Sequence, residues 1–181
     1  HQQSLPRSIG GAGTILFDPR VVWPVEAMVK EANGTPVITR CGHSFMKAHM
    51  RKADALFGGE SSAHDYFRRN FYTDNGMIPF LLGLESLCRA NLSLSEWVDD
   101  RSEGFPVSGE INFEFEELRQ RNLAIEQVSQ QLNRWGEFIL EEPIDGLSVR
   151  FTHNGTRLWR LNARASQTEP ALRLNVETIA D

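Results

Sequence analysis

The sequence has few cysteines, no long apolar run and no excess of positive charge. Its 181 residues include two cysteines, Cys41 and Cys88, which are too few for a disulfide framework and are typical of a reducing compartment. No apolar run approaches the roughly 20 residues that a membrane-spanning helix requires. The net charge of −5 argues against a general nucleic-acid binder, because such binding needs a clustered basic surface. We therefore expect a cytoplasmic protein with neither a nucleic-acid nor a membrane partner.

The pattern of apolar residues divides the chain into a leader and two domains. Residues 1–13 show no periodicity, and we expect a flexible leader there. Residues 14–104 alternate short apolar runs with helical spacing, which indicates an α/β domain built in three layers around a mostly parallel sheet. In residues 105–181 a long amphipathic helix, extending to Trp135, precedes strand-like segments. This second part is predicted to be a smaller α+β domain.

Within the first domain the sequence predicts individual elements. Short strands are expected at 14–17, 36–39 and 53–57, and helices between them begin near Val21 and Ser44. The clearest helical stripe runs from Met77 to Cys88, which would place Cys88 in the core.

In the second domain, apolar and polar residues alternate from 172 to 177, as they would in a half-buried strand with its apolar side inward.

The stretch from Gly58 to His64 is the most informative part of the sequence. Glu60, Ser62 and His64 stand at alternate positions, and their side chains suit the hydroxyl groups of a sugar. In an extended backbone such residues project to one side and would converge on one ligand. The preceding glycine pair would allow a tight turn with positive φ and a close backbone approach. An ordinary polar loop has the same composition, so composition alone does not decide.

Two further groups of residues are candidates for chemistry. The loop from Arg164 to Pro170 offers a guanidinium and hydroxyls for an anion, although the same residues also form ordinary turns before a proline. His43 stands at the predicted end of a strand, where a lone histidine is more commonly a solvated side chain than a functional one. No histidine or cysteine pair has metal-ligand spacing, so we predict no metal site from the sequence.

Motifs along the whole chain resemble those of the α-D-phosphohexomutases, the phosphomannomutase/phosphoglucomutase family. The resemblance is strongest to the bacterial phosphomannomutases. The resemblance covers roughly residues 14–177. Its motifs are Asp18-Pro19-Arg20, Gly42-His43-Ser44-Phe45-Met46-Lys47, Gly58-Gly59-Glu60-x-Ser62-Ala63-His64, Asp74-x-Gly76-Met77, Ser108-Gly109-Glu110-Ile111-Asn112 and Arg164-Ala165-Ser166-Gln167-Thr168-Glu169-Pro170. They look like the third and fourth domains of the family in the family's order.

The resemblance implies a role for each matching residue. Glu60 and Ser62 would bind the sugar hydroxyls, His64 would support them, and His43 would position the ligand or assist proton transfer. Arg20 would hold a phosphate or a sugar oxygen. The phosphate loop would use Arg164, Ser166, Gln167 and Thr168, with Arg173 as a second cation. The family usually has asparagine where this chain has Gln167, which makes that one contact doubtful.

The reaction implied by the resemblance moves a phosphoryl group between the 6- and 1-positions of a hexose. The family's phosphoserine motif and its Asp-rich Mg²⁺ loop do not occur in the 181 residues. We therefore expect the C-terminal half of a phosphohexomutase, with its fourth domain truncated, whose Mg²⁺ ligands lie in other domains. Alone, the chain is predicted to be inactive. Mannose and glucose phosphates both fit, because these sugars differ only at the 2-hydroxyl and the motif is expected on the 3- and 4-hydroxyls.

Two alternatives stay open at this point. The chain could be a free-standing sugar-phosphate-binding or interaction module without catalysis, which an upstream reading frame lacking the serine and Asp-rich motifs would favour. It could also be an unrelated α/β domain whose loops match by coincidence. Loss of hexose phosphate binding in Glu60→Ala would argue against the second of these.

Overall fold

The computed structural model describes residues 13–132, 138–154, 156–166 and 169–180. The chain forms two compact units, which divide between Glu103 and Gly104. Each unit has one five-stranded sheet. The assignment of these units as a sugar-recognition domain and a phosphate-binding domain stays a prediction, and most of the expected leader lies outside the described residues.

The first unit is an α/β fold, as the sequence predicts. Its sheet has the strand order β2-β1-β3-β4-β5, with β2, β1 and β3 parallel and the last two strands antiparallel at one edge. The elements are β1 Thr14–Phe17, α1 Trp23–Glu31, β2 Thr35–Ile38, α2 His43–Ala53, β3 Phe57–Glu60, β4 His64–Phe67, a 3-10 turn Arg68–Asn70, β5 Thr73–Asp74, α3 Met77–Ala90 and α4 Leu94–Gly104.

The core of this unit joins the sheet to α2. Leu16, Met46, Met50 and Tyr66 are fully buried and pack in one cluster. A Cβ atom at Gly58 would lie 2.7 Å from the Met50 sulfur and 2.8 Å from the Met46 sulfur, so only glycine lets β3 approach the helix this closely. Gly58 thus serves packing; the positive φ predicted for the glycine pair is found instead at Ala63, in the turn that follows.

Two predictions for the first unit are wrong. The expected strand at 53–57 is not formed, because α2 continues to Ala53 and the strand begins at Phe57. The helix from Met77 is present, but Cys88 is exposed and Met77 and Phe80 are 62% and 61% exposed. Helical periodicity identifies a common face, but it does not establish that another element covers that face.

The second unit combines one helix with an antiparallel sheet of strand order β6-β10-β9-β8-β7. The predicted long helix is confirmed over its described part, whereas Trp135 lies outside the described residues. The sequence did not predict β6 and β7, and β10 extends one residue beyond the predicted segment 172–177 at each end. The elements are β6 Val107–Glu114, α5 Leu118–Leu132, β7 Phe138–Leu140, β8 Leu147–His153, β9 Thr156–Ala165 and β10 Ala171–Thr178.

The burial pattern of β10 differs from the predicted one. Asn175 and Glu177 are buried, at 6% and 2% exposure, while Leu174 and Val176 are only half-buried. Glu177 tolerates burial because the guanidinium of Arg160 on β9 donates a hydrogen bond to it at 2.9 Å, and Arg160 is itself only 1% exposed. The strand does alternate between two faces, but its inward face carries a paired charge.

Candidate functional site

The end of β1 carries a buried arginine–carboxylate pair. The guanidinium of Arg20 donates two hydrogen bonds to Asp18, at 3.0 and 2.6 Å, and the Arg20 backbone N–H adds a third at 2.9 Å. The backbone N–H of Ser61 donates to the same carboxylate at 2.6 Å, and the Ser61 hydroxyl does so at 3.1 Å. Asp18 therefore joins the end of β1 to the turn between β3 and β4.

The predicted sugar-binding residues lie on the hairpin formed by β3 and β4. Glu60 ends β3 and pairs directly with His64, the first residue of β4, while Ser62 lies in the turn between them. The three positions are close in space because the chain reverses, rather than because one extended strand projects them to one side. A guanidinium nitrogen of Arg20 lies 3.3 Å from the Ser62 hydroxyl and 4.0 Å from the Glu60 carboxylate.

Two donors fix the carboxylate of Glu60. The hydroxyl of Tyr66 on β4 donates to Oε1 at 3.1 Å, and the backbone N–H of Gly42 donates to Oε2 at 3.3 Å. The Tyr66 hydroxyl also lies 3.0 Å from Nδ1 of His43, which begins α2. Burial and the neighbouring Glu60 raise the pKa of the Tyr66 phenol, so it stays protonated at neutral pH. Tyr66 thereby connects the predicted sugar reader to the predicted catalytic histidine.

His64 is paired with a carboxylate from β5. Nδ1 of His64 lies 2.7 Å from Oδ2 of Asp74, and the ring of His64 is 4.5 Å from the ring of His43. Burial alone would raise the pKa of Asp74, but the hydrogen bonds from His64 and from the backbone of Asp65 lower it below its ordinary value. The ionised Asp74 accepts a hydrogen bond from the imidazole and so fixes the orientation of the ring. The geometry thus places two histidine rings side by side, with His43 linked to the Glu60 carboxylate through Tyr66.

In the second unit, two arginines share one acid. Arg164 on β9 donates to Glu110 at 2.8 Å, and Arg173 on β10 donates to the other oxygen of Glu110 at 3.2 Å. Their strands pair in register at these two positions, so the two guanidinium groups are neighbours. Within the described residues, Nε of each arginine is buried without a hydrogen-bond partner. The pair therefore retains donor capacity for an additional acceptor.

The predicted phosphate loop is fixed at its beginning. Ser166 is buried and its backbone N–H donates to the carbonyl of Ala171 at 2.8 Å. Arg121 on α5 donates to the Ser166 carbonyl at 2.6 Å and lies 3.4 Å from the carbonyl of Glu169. Gln167 and Thr168, which were predicted to bind phosphate, lie outside the described residues. Their roles therefore stay predictions.

Several residues of these sites were not among the sequence candidates. Asp18, Asp74 and Glu110 belong to motifs already quoted for the resemblance, so the signal was present but no role was attached to it. Tyr66 follows His64 by two residues, and the alternation of a strand would have placed it on the same face. Arg121 gives no local signal, because its contact to the loop spans 45 residues.

Comparison with known proteins identifies the first unit. The family model described as "Phosphoglucomutase/phosphomannomutase, alpha/beta/alpha domain III" matches residues 3–105, which is more than half of the chain. This description agrees with the three-layer α/β expectation. Across the described residues, no helix is both long and apolar enough to cross a membrane.

Curated and solved relatives extend the match over nearly the whole chain. A phosphomannomutase of Escherichia coli K12 is 46% identical over 92% of this chain, and phosphohexose mutases of Xanthomonas campestris are 42% identical over 93%. The chain spans about a third of the length of these proteins, 34% and 36%. A Burkholderia thailandensis family member has a similar fold, with a TM-score of 0.73, 24% identity and coverage of 97% of this chain and 35% of that one. The chain therefore belongs to the phosphoglucomutase/phosphomannomutase family, and it corresponds to a C-terminal part of the bacterial phosphomannomutases it matches.

Proposed function

We propose that this chain supplies the sugar-binding and phosphate-binding surfaces of a cytoplasmic phosphohexomutase that interconverts hexose 6-phosphate and hexose 1-phosphate. The observation that carries the proposal is the Glu60 carboxylate, held by Tyr66 and Gly42 beside Ser62 and His64. The family assignment and the names of the relatives support the substrate class. The other domains of the parent protein would be its first partners, and carbohydrate metabolism its context.

Glu60 and Ser62 are the groups suited to bind the hydroxyls of the sugar. Each oxygen of Glu60 accepts one hydrogen bond and keeps capacity for a second. Its side chain is 5% exposed, whereas that of His64 is 39% exposed, so a sugar would approach across Ser62 and His64. Arg20, held by Asp18, adds a positive charge close to both Ser62 and Glu60. This arrangement suits two adjacent hydroxyls, with Glu60 accepting and Ser62 either donating or accepting.

His43 and His64 are the groups suited to exchange a proton with the reacting hydroxyl. A hydroxyl that gains or loses a phosphoryl group must exchange a proton, and imidazole is the side chain suited to this near neutral pH. His43 is the residue that the sequence proposes for this role. Its contacts with Tyr66 and the adjacent ring of His64 support the assignment, and the Asp74 carboxylate gives His64 the same capacity. We therefore propose that the two histidines share the task.

Arg164 and Arg173 are the groups suited to hold the phosphate. Arg164 and Arg173 hold one carboxylate between them and keep unpaired Nε donors among the described residues. A phosphate group offers more acceptor oxygens than a carboxylate and matches paired guanidinium groups well. We propose that phosphate displaces Glu110 from these arginines and that Ser166 lines the same site, with Gln167, Thr168 and the bound Arg121 completing the loop.

The Mg²⁺ ion of the family does not fit the described residues. Mg²⁺ takes oxygen ligands in an octahedral arrangement. Among the described residues, the group that could hold an ion consists of His43, His64 and Asp74, in which nitrogen ligands dominate. We therefore place the Mg²⁺ site of the parent enzyme outside this chain and derive no step through it.

Calorimetry with the 181-residue chain and hexose 6-phosphate tests the proposal. We expect saturable binding that weakens about tenfold or more in Glu60→Ala, because hydrogen bonds to a charged group contribute roughly 1.5–3 kcal/mol. The matched control is Glu31→Ala, an exposed acid of the same unit, which should bind as the unchanged chain does. Equal affinity in Glu60→Ala and in the unchanged chain would contradict the sugar site.

A coupled mutase assay of the same chain addresses catalysis. We expect no turnover, because the phosphoryl donor and the Asp-rich metal loop are not in its sequence. Metal-dependent turnover by the purified chain would contradict this expectation. Binding without turnover by every longer form of the protein would instead favour the non-catalytic module.

A further inference from the structure

Three metal-ligating side chains meet beside the proposed sugar site. His43 begins α2, His64 begins β4 and Asp74 ends β5, and one ligand atom of each lies within 4.8 Å of the other two. No two of them are closer than ten positions in the sequence, so the spacing rules that find metal motifs could not detect them. The fold brings them together through the pairing of β4 with β5 and of β3 with β4.

The supporting contacts leave these atoms available. Tyr66 engages Nδ1 of His43, which leaves Nε2 without that bond. The backbone N–H of Asp65 engages Oδ1 of Asp74, while Oδ2 faces Nδ1 of His64 at 2.7 Å. An ion could replace the proton that His64 Nδ1 and Asp74 Oδ2 share. These two atoms would then have to lie only slightly farther apart, since tetrahedral zinc holds its ligands at about 2.0–2.2 Å. Outer contacts of this kind are what orient metal ligands in proteins.

We propose that His43, His64 and Asp74 bind a divalent transition-metal ion, with Zn²⁺ as the best match. Two imidazoles and one carboxylate are a zinc-type ligand set, whereas Mg²⁺ and Ca²⁺ prefer oxygen ligands alone. Three protein ligands leave a fourth position for water or for an anionic oxygen. The side chains of His64 and Asp74 are 39% and 31% exposed, so the ion can reach the cluster and the side chains can rotate onto it. The site goes beyond the proposed hexose phosphate function and does not depend on it.

Calorimetric titration of the full 181-residue chain with Zn²⁺ alone tests the site. We expect one saturable site whose affinity falls about 10- to 100-fold or more in His64→Ala and in Asp74→Asn, since even outer-sphere changes cost that much. Asparagine keeps an acceptor for the Asp65 backbone, so Asp74→Asn preserves the hairpin, and a circular dichroism melt checks both variants. His153→Ala, a histidine at the end of β8, is the matched control and should bind as the unchanged chain does.

A Co²⁺ titration read by visible absorption supplies a second measurement, because cobalt bound by nitrogen and oxygen in a tetrahedral site absorbs strongly. We expect this spectrum in the unchanged chain and its loss in His64→Ala. Cys41→Ser removes an alternative thiolate ligand and should keep the spectrum. The proposal is overturned if no saturable binding occurs, or if Cys41→Ser removes binding while His64→Ala retains it. Since no sugar is present, failure of hexose phosphate binding leaves both measurements interpretable.

Discussion

The two units treat arginine–carboxylate pairing in opposite ways. In the first unit, Arg20 and Asp18 are buried, with side chains 8% and 1% exposed. Ser61 donates two further hydrogen bonds to the Asp18 carboxylate. In the second unit, Glu110 is 27% exposed and holds both Arg164 and Arg173, whose Nε atoms lack partners within the described residues. The first pair is closed by its surroundings, whereas the second has unused donors.

This difference in burial predicts different functions for the same chemistry. A buried pair costs several kcal/mol when one partner is removed, because the other charge stays uncompensated. A partly exposed pair is screened by water and contributes little to stability. We therefore interpret Asp18–Arg20 as the structural support of the β3–β4 turn, and Glu110 as a replaceable ligand of the two arginines proposed to bind phosphate.

Removing Asp18 should have the largest effect. Asp18→Ala removes the carboxylate that accepts two hydrogen bonds from the buried Arg20 guanidinium and that holds the Ser61 turn, so we expect a loss of about 3–5 kcal/mol in the free energy of unfolding of the first unit. Urea denaturation, monitored by hydrogen exchange in the peptides of β1 and β3–β4, measures this loss of stability. Arg89→Ala, which removes the exposed Arg89–Glu85 pair of α3, is the control and should change stability little. Equal effects of the two variants would contradict the comparison.

The acid sensitivity of the first unit should follow from the same carboxylate. Burial alone would raise the pKa of Asp18, but the contacts from Arg20 and Ser61 outweigh it and hold the pKa below the ordinary value of 3.8. A depressed pKa in the folded state stabilises the fold above about pH 4, and this contribution is lost as the pH falls through the folded-state pKa. Stability curves should thus converge for the unchanged chain and Asp18→Ala in strong acid. A constant difference down to pH 2 would contradict the assignment.

How far the sequence predicts this molecule depends on the range of the contacts involved. Strand β1 and helix α5 follow from local patterns and were predicted, while β6 was missed although Ile111 and Phe113 alternate with polar residues, and none of its residues is buried. The strand proposed at 53–57 failed because helix capping by Asp54, in a left-handed conformation, decides where α2 ends. Such a conformation is not visible in an apolar pattern.

The candidate site shows the same division. Glu60, Ser62 and His64 were found as a local motif, and the structure brings them together with Arg20 and His43. The partners that orient them were missed because their contacts join residues that lie far apart in the sequence. Tyr66 contacts His43 across 23 positions, and the Ser61 turn contacts Asp18 across 43. The chemistry of a site is thus partly readable from a motif, whereas its preorganisation depends on tertiary contacts.

Tyr66 offers a test of that preorganisation with an effect between the extremes. Tyr66→Phe keeps the buried ring but removes the hydroxyl shared by Glu60 and His43. We expect hexose 6-phosphate to bind about tenfold more weakly, since a hydrogen bond to a charged group contributes about 1.5–3 kcal/mol. Calorimetry measures this, with Tyr72→Phe, which loses a hydroxyl contact to exposed Asp54, as the control. Unchanged binding in Tyr66→Phe would show that Glu60 needs no support.

Removing the charge of Glu110 should strengthen phosphate binding, whereas removing the charge of Asp18 should weaken the fold. Glu110→Gln removes the negative charge that pairs with both Arg164 and Arg173 and leaves Glu169 as the acid beside Arg173, so we expect inorganic phosphate to bind several-fold more tightly, with a marked dependence on salt. Glu114→Gln, an exposed acid on the same strand, is the control. Phosphate titration followed by calorimetry distinguishes the two roles. Weaker phosphate binding in Glu110→Gln would mean that the acid positions the arginines rather than occupying their site.

The smallest predicted effect concerns Asp65 on the β3–β4 hairpin. The pH dependence of its contribution to stability has the opposite sign to that of Asp18. Burial raises the pKa of Asp65, and the negative charge of Asp74 adds to the rise while His64 opposes it. A raised pKa means that the folded state disfavours the ionised form, so Asp65 costs stability as the pH rises above its ordinary 3.8. Asp65→Asn should therefore stabilise the first unit slightly at pH 7, by about 0.5 kcal/mol or less, and not at pH 3. Thermal unfolding at the two pH values measures it, and destabilisation at pH 7 would show that the Asp65 carboxylate is a partner the hairpin needs rather than one it tolerates.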